Sequence, residues 1–216
     1  MTKKQKQNRL RWALDHQNWT QNDWDKVLFP DGSRFEISVG DTRKNILRLS
    51  SESFDSSTLN RTVKFPASVM VWGCMSSRGV GNLHFIDGTV NAQKYQDILK
   101  ENLLPTSNKQ FSGNFIFQQD GASSHTAKST KSWLENNNVP VMIWPSGSPD
   151  LSPIESLWGV MKKELRNQRP SNKDALKSKL QEIWDNISND ECQSLMNSMQ
   201  KRVQAVIQSK GDVTPY

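Results

Sequence analysis

Cysteine is scarce in this sequence: Cys74 and Cys192 are the only two among 216 residues. They stand far apart, with neither metal-ligand spacing nor the regular framework of a disulfide scaffold, so both are read as reduced thiols of an intracellular protein. Long hydrophobic runs are missing as well. The longest, Val69 to Met75, is far too short to span a bilayer. The first residues, Met1 to Arg9, are polar and lack the apolar core of a signal peptide. Apolar residues make up only 34% of the chain, yet eight tryptophans and eight phenylalanines cluster in discrete segments, which argues against a disordered polymer. Acidic residues are outnumbered, 22 against 28 lysines and arginines, leaving a net charge of +6 and a pI near 9.3. Such an excess suits a polyanionic partner and equally simple solubility; a membrane surface fits less well, because no long basic amphipathic helix with a broad apolar face stands out.

The length suggests one domain with a helical appendage. Residues 1–22 read as a basic arm or linker helix, and residues 23–216 as the domain proper. Trp24–Phe29 and Arg34–Val39 read as two strands joined at Pro30-Asp31-Gly32-Ser33, a plausible hairpin. Residues 40–66 are polar and irregular, long enough for a functional insertion loop. Val69–Met75 is a buried strand and Asn82–Ile86 the next, while Asn91–Leu104 has helical periodicity. A strand runs from Asn114 to Asp120, a helix follows over 127–136, and Val139–Trp144 is a short strand. Ser152 opens a long helix, and two more are expected at 172–187 and 190–209. Early strands followed by alternating helices and strands are the order of an α/β, ribonuclease-H-like (retroviral-integrase-type) fold. A mixed five-stranded sheet flanked by helices is expected, with the loop insertion after the second strand.

Phosphoryl transfer with two metal ions needs several carboxylates converging on one point, because hard cations take oxygen ligands. Asp31, Asp120 and Glu155 fit that requirement, and each also has an ordinary explanation. Asp31 lies in Pro-Asp-Gly, which is turn chemistry in its own right. Asp120 follows a strand and precedes Gly121, where a turn aspartate is equally at home. Glu155 stands third after Ser152 and Pro153, the position of a capping-box glutamate.

The combination narrows the choice. Phe117-Gln118-Gln119-Asp120 is followed by thirty-four residues and then Glu155. That glutamate lies within Trp144-Pro145-Ser146-Gly147-Ser148-Pro149-Asp150-Leu151-Ser152-Pro153-Ile154-Glu155-Ser156-Leu157-Trp158. This pattern resembles the Tc/mariner transposase superfamily, in the branch that includes the Sleeping Beauty transposase. Val69-Met70-Val71-Trp72-Gly73-Cys74 resembles the family's third strand, and Lys201–Ile207 with Thr214-Pro215-Tyr216 resembles its C-terminal end. The similarity runs from about Asn8 onward, and Asp31 falls at the family's first aspartate.

The resemblance implies a metal-dependent DNA transposase, a nuclease and polynucleotidyl transferase. Its catalytic and metal-binding residues would be Asp31, Asp120 and Glu155, with two Mg²⁺ ions, or Mn²⁺ as a substitute. The reaction implied is hydrolysis at transposon ends, followed by attack of the freed 3′-hydroxyl on target DNA at a TA dinucleotide. The partners implied are transposon-end and target DNA and a homodimer in the full-length synaptic complex, in the nucleus and with no membrane. His125, Lys162, Lys163 and Arg166 are candidate DNA contacts, with Arg169 just beyond. Trp158 and Trp184, at helical spacing with leucines, read as core. Relatives carry two N-terminal helix-turn-helix modules, and this sequence is expected to be the catalytic fragment that follows them. Some residues depart from the family pattern: Gly32-Ser33 after the first aspartate, Gly121-Ala122-Ser123-Ser124 after the second, and Phe65-Pro66-Ala67-Ser68 before the third strand. These motivate an alternative, a domesticated transposase-derived protein that binds DNA with weakened catalysis. A nuclease or resolvase on the same fold is a further one.

Overall fold

A computed structural model describes residues 1–37, 67–168 and 170–216; the expected insertion loop 40–66 and Arg169 lie outside the described residues. The centre of the sheet is β1, Val27–Glu36. It pairs antiparallel with β2, Ser68–Ser76, over eight residues, and parallel with β5, Ile116–Gln118, at Val27 and Leu28 only. The short strands β3 (Gly79–Val80) and β4 (His84–Ile86) both pair with β2, and β6 (Val141–Met142) pairs with β5. The described sheet is therefore mixed and six-stranded, in the order β3-β2-β1-β5-β6 with β4 also on β2, one strand more than expected.

The expected hairpin at Pro30-Asp31-Gly32 is not there. Residues 27–36 form one strand, in which Asp31 pairs with Gly73 and Gly32 with Trp72 of β2. The local turn signal is overridden by an uninterrupted antiparallel partner. Pro30 is tolerated for a geometric reason. Lys26 O accepts the Ile116 amide, so strand alternation also turns the Leu28 and Pro30 nitrogens toward β5. The β5 pairing ends at Leu28, and the residue without an N–H stands where the two strands part. A cleft opens at that point.

Helices cover both faces. On one side α3 (Ala92–Ile98), a turn of π-helix (Leu99–Leu103) and α4 (Leu104–Phe111) run on from one another, past the expected end at Leu104. The wider π turn comes just before Pro105, whose ring and missing donor an α-helix interior would resist. Two helices follow β5, α5 (Ser123–Thr126) and α6 (Lys128–Asn136). Their core holds Leu28, Trp72, Cys74, Tyr95, Leu99 and Phe117. The opposite face is covered by α7 (Pro153–Gln168), α8 (Lys173–Asp185), α9 (Asn189–Asn197) and α10 (Met199–Gln208). The single helix expected at 190–209 is thus two, broken at Ser198. Phe29, Phe35, Val71, Met75, Trp158 and Trp184 meet in this second core. The segment expected as a basic arm forms α1 (Lys3–Asp15), which packs along α10, and α2 (Gln21–Trp24) leads into β1. Among the described residues no helix is long and apolar enough to cross a membrane.

Candidate active site

The three carboxylates come from distant parts of the chain. Asp31 lies midway along β1, Asp120 two residues beyond β5, and Glu155 in the first turn of α7. All three line one cleft of about 360 Å³, together with Tyr95, Gln119 and His125. Divergence of β1 and β5 puts the two aspartates on its walls, and α7 delivers Glu155 from the neighbouring layer. Ligand sites outside the carboxyl ends of parallel strands follow the same logic.

Asp31 shares a strand face with Phe29 and Phe35, whose rings pack edge-on against Trp144 and Trp158. Between these rings Asp31 Oδ2 accepts a hydrogen bond from Trp158 Nε1 at 3.1 Å. Its carboxyl is pushed up from 3.8 to about 7, first by burial and then by the negative charge of Glu155, with Asp120 adding a smaller push. Asp120 is more open. His125 Nδ1 lies 2.5 Å from its Oδ1, close enough for an ion pair but off the line of a good hydrogen bond, and the Ala122 amide donates to the same oxygen at 3.1 Å. Contact with His125 leads in holding this carboxyl below the usual range, against a smaller opposing effect of burial. The His125 ring stacks on buried Tyr95, 3.9 Å between centroids and 23° apart, and Tyr95 O–H donates to Gln119 Oε1 at 3.1 Å. Burial, then the charges of Asp120 and Asp31, raise the Tyr95 hydroxyl well above its ordinary value.

Glu155 does not form the capping box that its position suggests. The Ser152 amide donates to Pro149 O at 2.9 Å, and the Glu155 amide reaches Ser152 O at 3.3 Å. A single 3-10 turn, Pro149–Leu151, leads into the helix and takes the amide that a capping glutamate would bind. The Glu155 side chain is exposed on the cleft wall.

The cleft offers hard oxygen donors of the kind a divalent cation takes, and Asp31 is held with too much negative charge around it. The residues thus fit such an ion in kind. Among the described residues no three His, Cys, Asp or Glu side chains stand as a formed metal cage. The reason is visible in the partners, since Asp120 is turned to His125 and Asp31 to Trp158. Lys162, Lys163 and Arg166 are exposed along α7, and Lys162 and Arg166 line a separate recess with Arg34, Phe35 and Glu36. His125 alone of the four expected DNA contacts lines the carboxylate cleft.

Several residues escaped the sequence reading. Trp158, expected only as core, is also the donor to Asp31. Gly73, opposite Asp31, lies under the stacked Trp158 and Trp184 rings, where a Cβ would come within 2.7 Å of Trp184 and 2.9 Å of Trp158. Tyr95 had no signal beyond its place in a helical stripe. Gly73 could have been suspected, being a glycine inside a buried strand, where close approach of a neighbour is a common cause.

Comparison with known proteins places the chain in a family and a fold. The DDE superfamily endonuclease family matches residues 26–177. The Tcb2 transposable-element transposase of Caenorhabditis briggsae is 37% identical over 217 residues, covering 100% of this chain and 80% of that protein. Among solved structures, the Mos1 transposase paired-end complex with left transposon end superposes with a TM-score of 0.85 at 22% identity, over 99% of this chain and 64% of that one. The Mos1 transposase catalytic domain, solved with Raltegravir and Mg, gives a TM-score of 0.78 at 19% identity, over 99% and 98% of the two chains. The ribonuclease-H-like arrangement expected from the element order is the fold observed. The chain belongs to the DDE superfamily endonuclease family and is a catalytic domain of the Tc/mariner cut-and-paste transposases.

Proposed function

We propose that this domain cleaves DNA at transposon ends and joins the freed 3′ end to target DNA at TA dinucleotides, with Asp31, Asp120 and Glu155 as its metal-binding catalytic residues. The observation that carries the proposal is the meeting of these three carboxylates in one cleft. The cation is Mg²⁺, replaceable by Mn²⁺, and two ions serve each site. Support comes from the related Mos1 catalytic domain, solved with Mg. Asp31, Asp120 and Glu155 would hold such ions, which would supply charge neutralisation for phosphoryl transfer.

The remaining work falls to the chain's own side chains. Trp158 donates to one oxygen of Asp31, and the Gly32 amide also supports this carboxyl at the cleft wall. His125 and the Ala122 amide set the direction of Asp120, so His125 must yield part of its contact when the site is loaded. From Glu155 to Lys162 and Arg166 the α7 axis advances by roughly 10 and 16 Å, so a duplex in the cleft could lay its phosphates along the exposed lysines and arginine. A homodimer bound to two transposon ends, acting in the nucleus, completes the reading.

Nicking of supercoiled plasmid in Mg²⁺, alongside joining of a pre-cut end to a TA-containing target, tests it. The parent should cut and join, and Asp120→Asn should do neither while keeping its fold. A folded Asp120→Asn protein that cuts at the parental rate would remove Asp120 from the chemistry. Cutting without joining would favour a nuclease on the same fold.

A further inference from the structure

We propose that Arg202 is a positioning residue for Glu155, a strap from α10 that fixes the direction of the first turn of α7. The inference rests on the reading of Glu155 as a metal-binding group. Arg202 is 2% exposed, and its three guanidinium nitrogens are all engaged. Nη1 donates to Asp150 O at 2.7 Å, Nη2 to Ser156 Oγ at 2.7 Å, and Nε to Ser198 Oγ on its own side at 2.8 Å. The planar fork thus bridges a residue five positions before Glu155 and the residue immediately after it. The Tyr216 ring covers the guanidinium at 4.9 Å.

The far side of the same turn is anchored through Asp150. Its carboxylate accepts both Arg9 Nη groups, at 2.7 and 2.6 Å, and both the amide and hydroxyl of Thr214, at 3.0 and 2.8 Å. Three remote pieces, α1, α10 and the C-terminal residues, therefore converge on the seven residues that hold Glu155. A core helix start needs no such arrangement. The α9 start is closed by its own Ser188 and Glu191. The α7 start cannot close itself in that way, because its Ser152 amide is taken by Pro149 O, and the direction that a capping box would impose comes from outside. Groups that orient a metal ligand commonly change metal affinity by about 10–100-fold when removed. Lysine is a poor substitute, since a point charge cannot span Asp150 O and Ser156 Oγ as the fork does.

A double-mutant cycle on Mn²⁺ binding, read by calorimetry with thermal unfolding in parallel, separates positioning from mere tethering. Arg202→Lys should weaken Mn²⁺ binding about tenfold in the parent but less than about twofold in a Glu155→Gln background, because the strap acts through that carboxylate. Ser156→Ala, which deletes only the α7 arm, should weaken binding about threefold with a nearly parental Tm, and it decides the matter if Arg202→Lys does not fold. Equal weakening in both backgrounds, or a Ser156→Ala protein with parental Mn²⁺ affinity, overturns the positioning role. A Glu155→Gln protein that itself binds Mn²⁺ and cuts DNA like the parent overturns the assignment of Glu155 instead, which is a different failure.

Discussion

Two helices of this molecule begin with the same local pattern, Ser152-Pro153-Ile154-Glu155 at α7 and Ser188-Asn189-Asp190-Glu191 at α9. At α9 the glutamate turns back. Glu191 Oε2 accepts the Ser188 amide and hydroxyl, both at 2.8 Å, and Ser188 Oγ accepts the Glu191 amide at 3.2 Å. At α7 the serine amide is already taken by Pro149 O, and the glutamate stands in the cleft. A capping box is therefore not a property of four residues. It depends on what the chain does immediately before them, and a preceding 3-10 turn is enough to release the carboxylate for another use.

The largest effect that can break this comparison is on catalysis. Glutamine serves a capping box as well as glutamate does but brings no full charge to a cation. Glu155→Gln should lower DNA cleavage by about a thousandfold or more with little change in Tm, whereas Glu191→Gln should cut within about twofold of the parent. Cleavage assays on the two proteins side by side measure the contrast. Parental cutting by Glu155→Gln would mean that the two helix starts do the same job after all.

Next in size is the electrostatic cost of what Glu155 faces. Asp31 is raised from 3.8 to about 7, so the folded state binds this proton more tightly than the unfolded chain does. Stability linked to it is fully present below about pH 3.8 and is lost as pH rises through about 7. In metal-free protein at pH 8, Asp31→Asn should therefore gain roughly 2–4 kcal/mol, less whatever the Trp158 hydrogen bond loses, and the gain should vanish near pH 3.5. Urea unfolding in chelator at the two pH values measures it. No gain at pH 8 would mean that neither burial nor the neighbouring carboxylates burden the charged Asp31. The sign is opposite to that expected at Glu191, whose charge is locally satisfied.

A third test concerns the floor beneath α7. Trp158, one turn beyond Glu155, reaches Asp31 only because Gly73 leaves room for the paired indoles. Gly73→Ala should cost about 1–3 kcal/mol through overpacking and should lower cleavage as well, by moving the Asp31 donor. A stability loss with untouched cleavage would show that the rings shift without carrying Asp31 with them.

How much of this was legible in the sequence depends on the range of the interaction that decides each feature. Buried β2 and the helices at 128–136, 153–168 and 173–185 follow from periodicity and caps, which are local. The spacing from Asp120 to Glu155 and the block around Glu155 pointed to the family, and the cleft does contain both residues with Asp31. The hairpin reading of Pro30-Asp31-Gly32 failed because the local turn chemistry is correct but outvoted by eight paired residues of a strand far along the chain. The double role of Trp158 was hidden for the same reason, since an indole at a helical core position reveals nothing of the carboxylate that its N–H will meet. The Arg9–Asp150 pair, joining positions 141 apart, has no local trace.

The smallest effect sharpens the comparison from the α9 side. Glu191 is held below its usual 4.5, first by the Ser188 amide and then by the Ser188 hydroxyl. A depressed carboxyl contributes stability above its unfolded value, and that contribution is lost as pH falls through the lower folded one. Glu191→Ala should thus cost about 0.5–1 kcal/mol at pH 7 and almost nothing well below pH 4, where the parent's own carboxyl is protonated and its cap weakened. Glu191→Gln should lose less than alanine at pH 7, because the amide still accepts from Ser188, and its loss should shrink on acidification. The same pair of substitutions at Glu155 should show no such acid-sensitive capping loss, since no backbone amide of Ser152 waits for its carboxylate. Urea titrations of the four proteins at pH 7 and pH 3 would expose a hidden cap at α7 as a matching acid-dependent loss in Glu155→Ala.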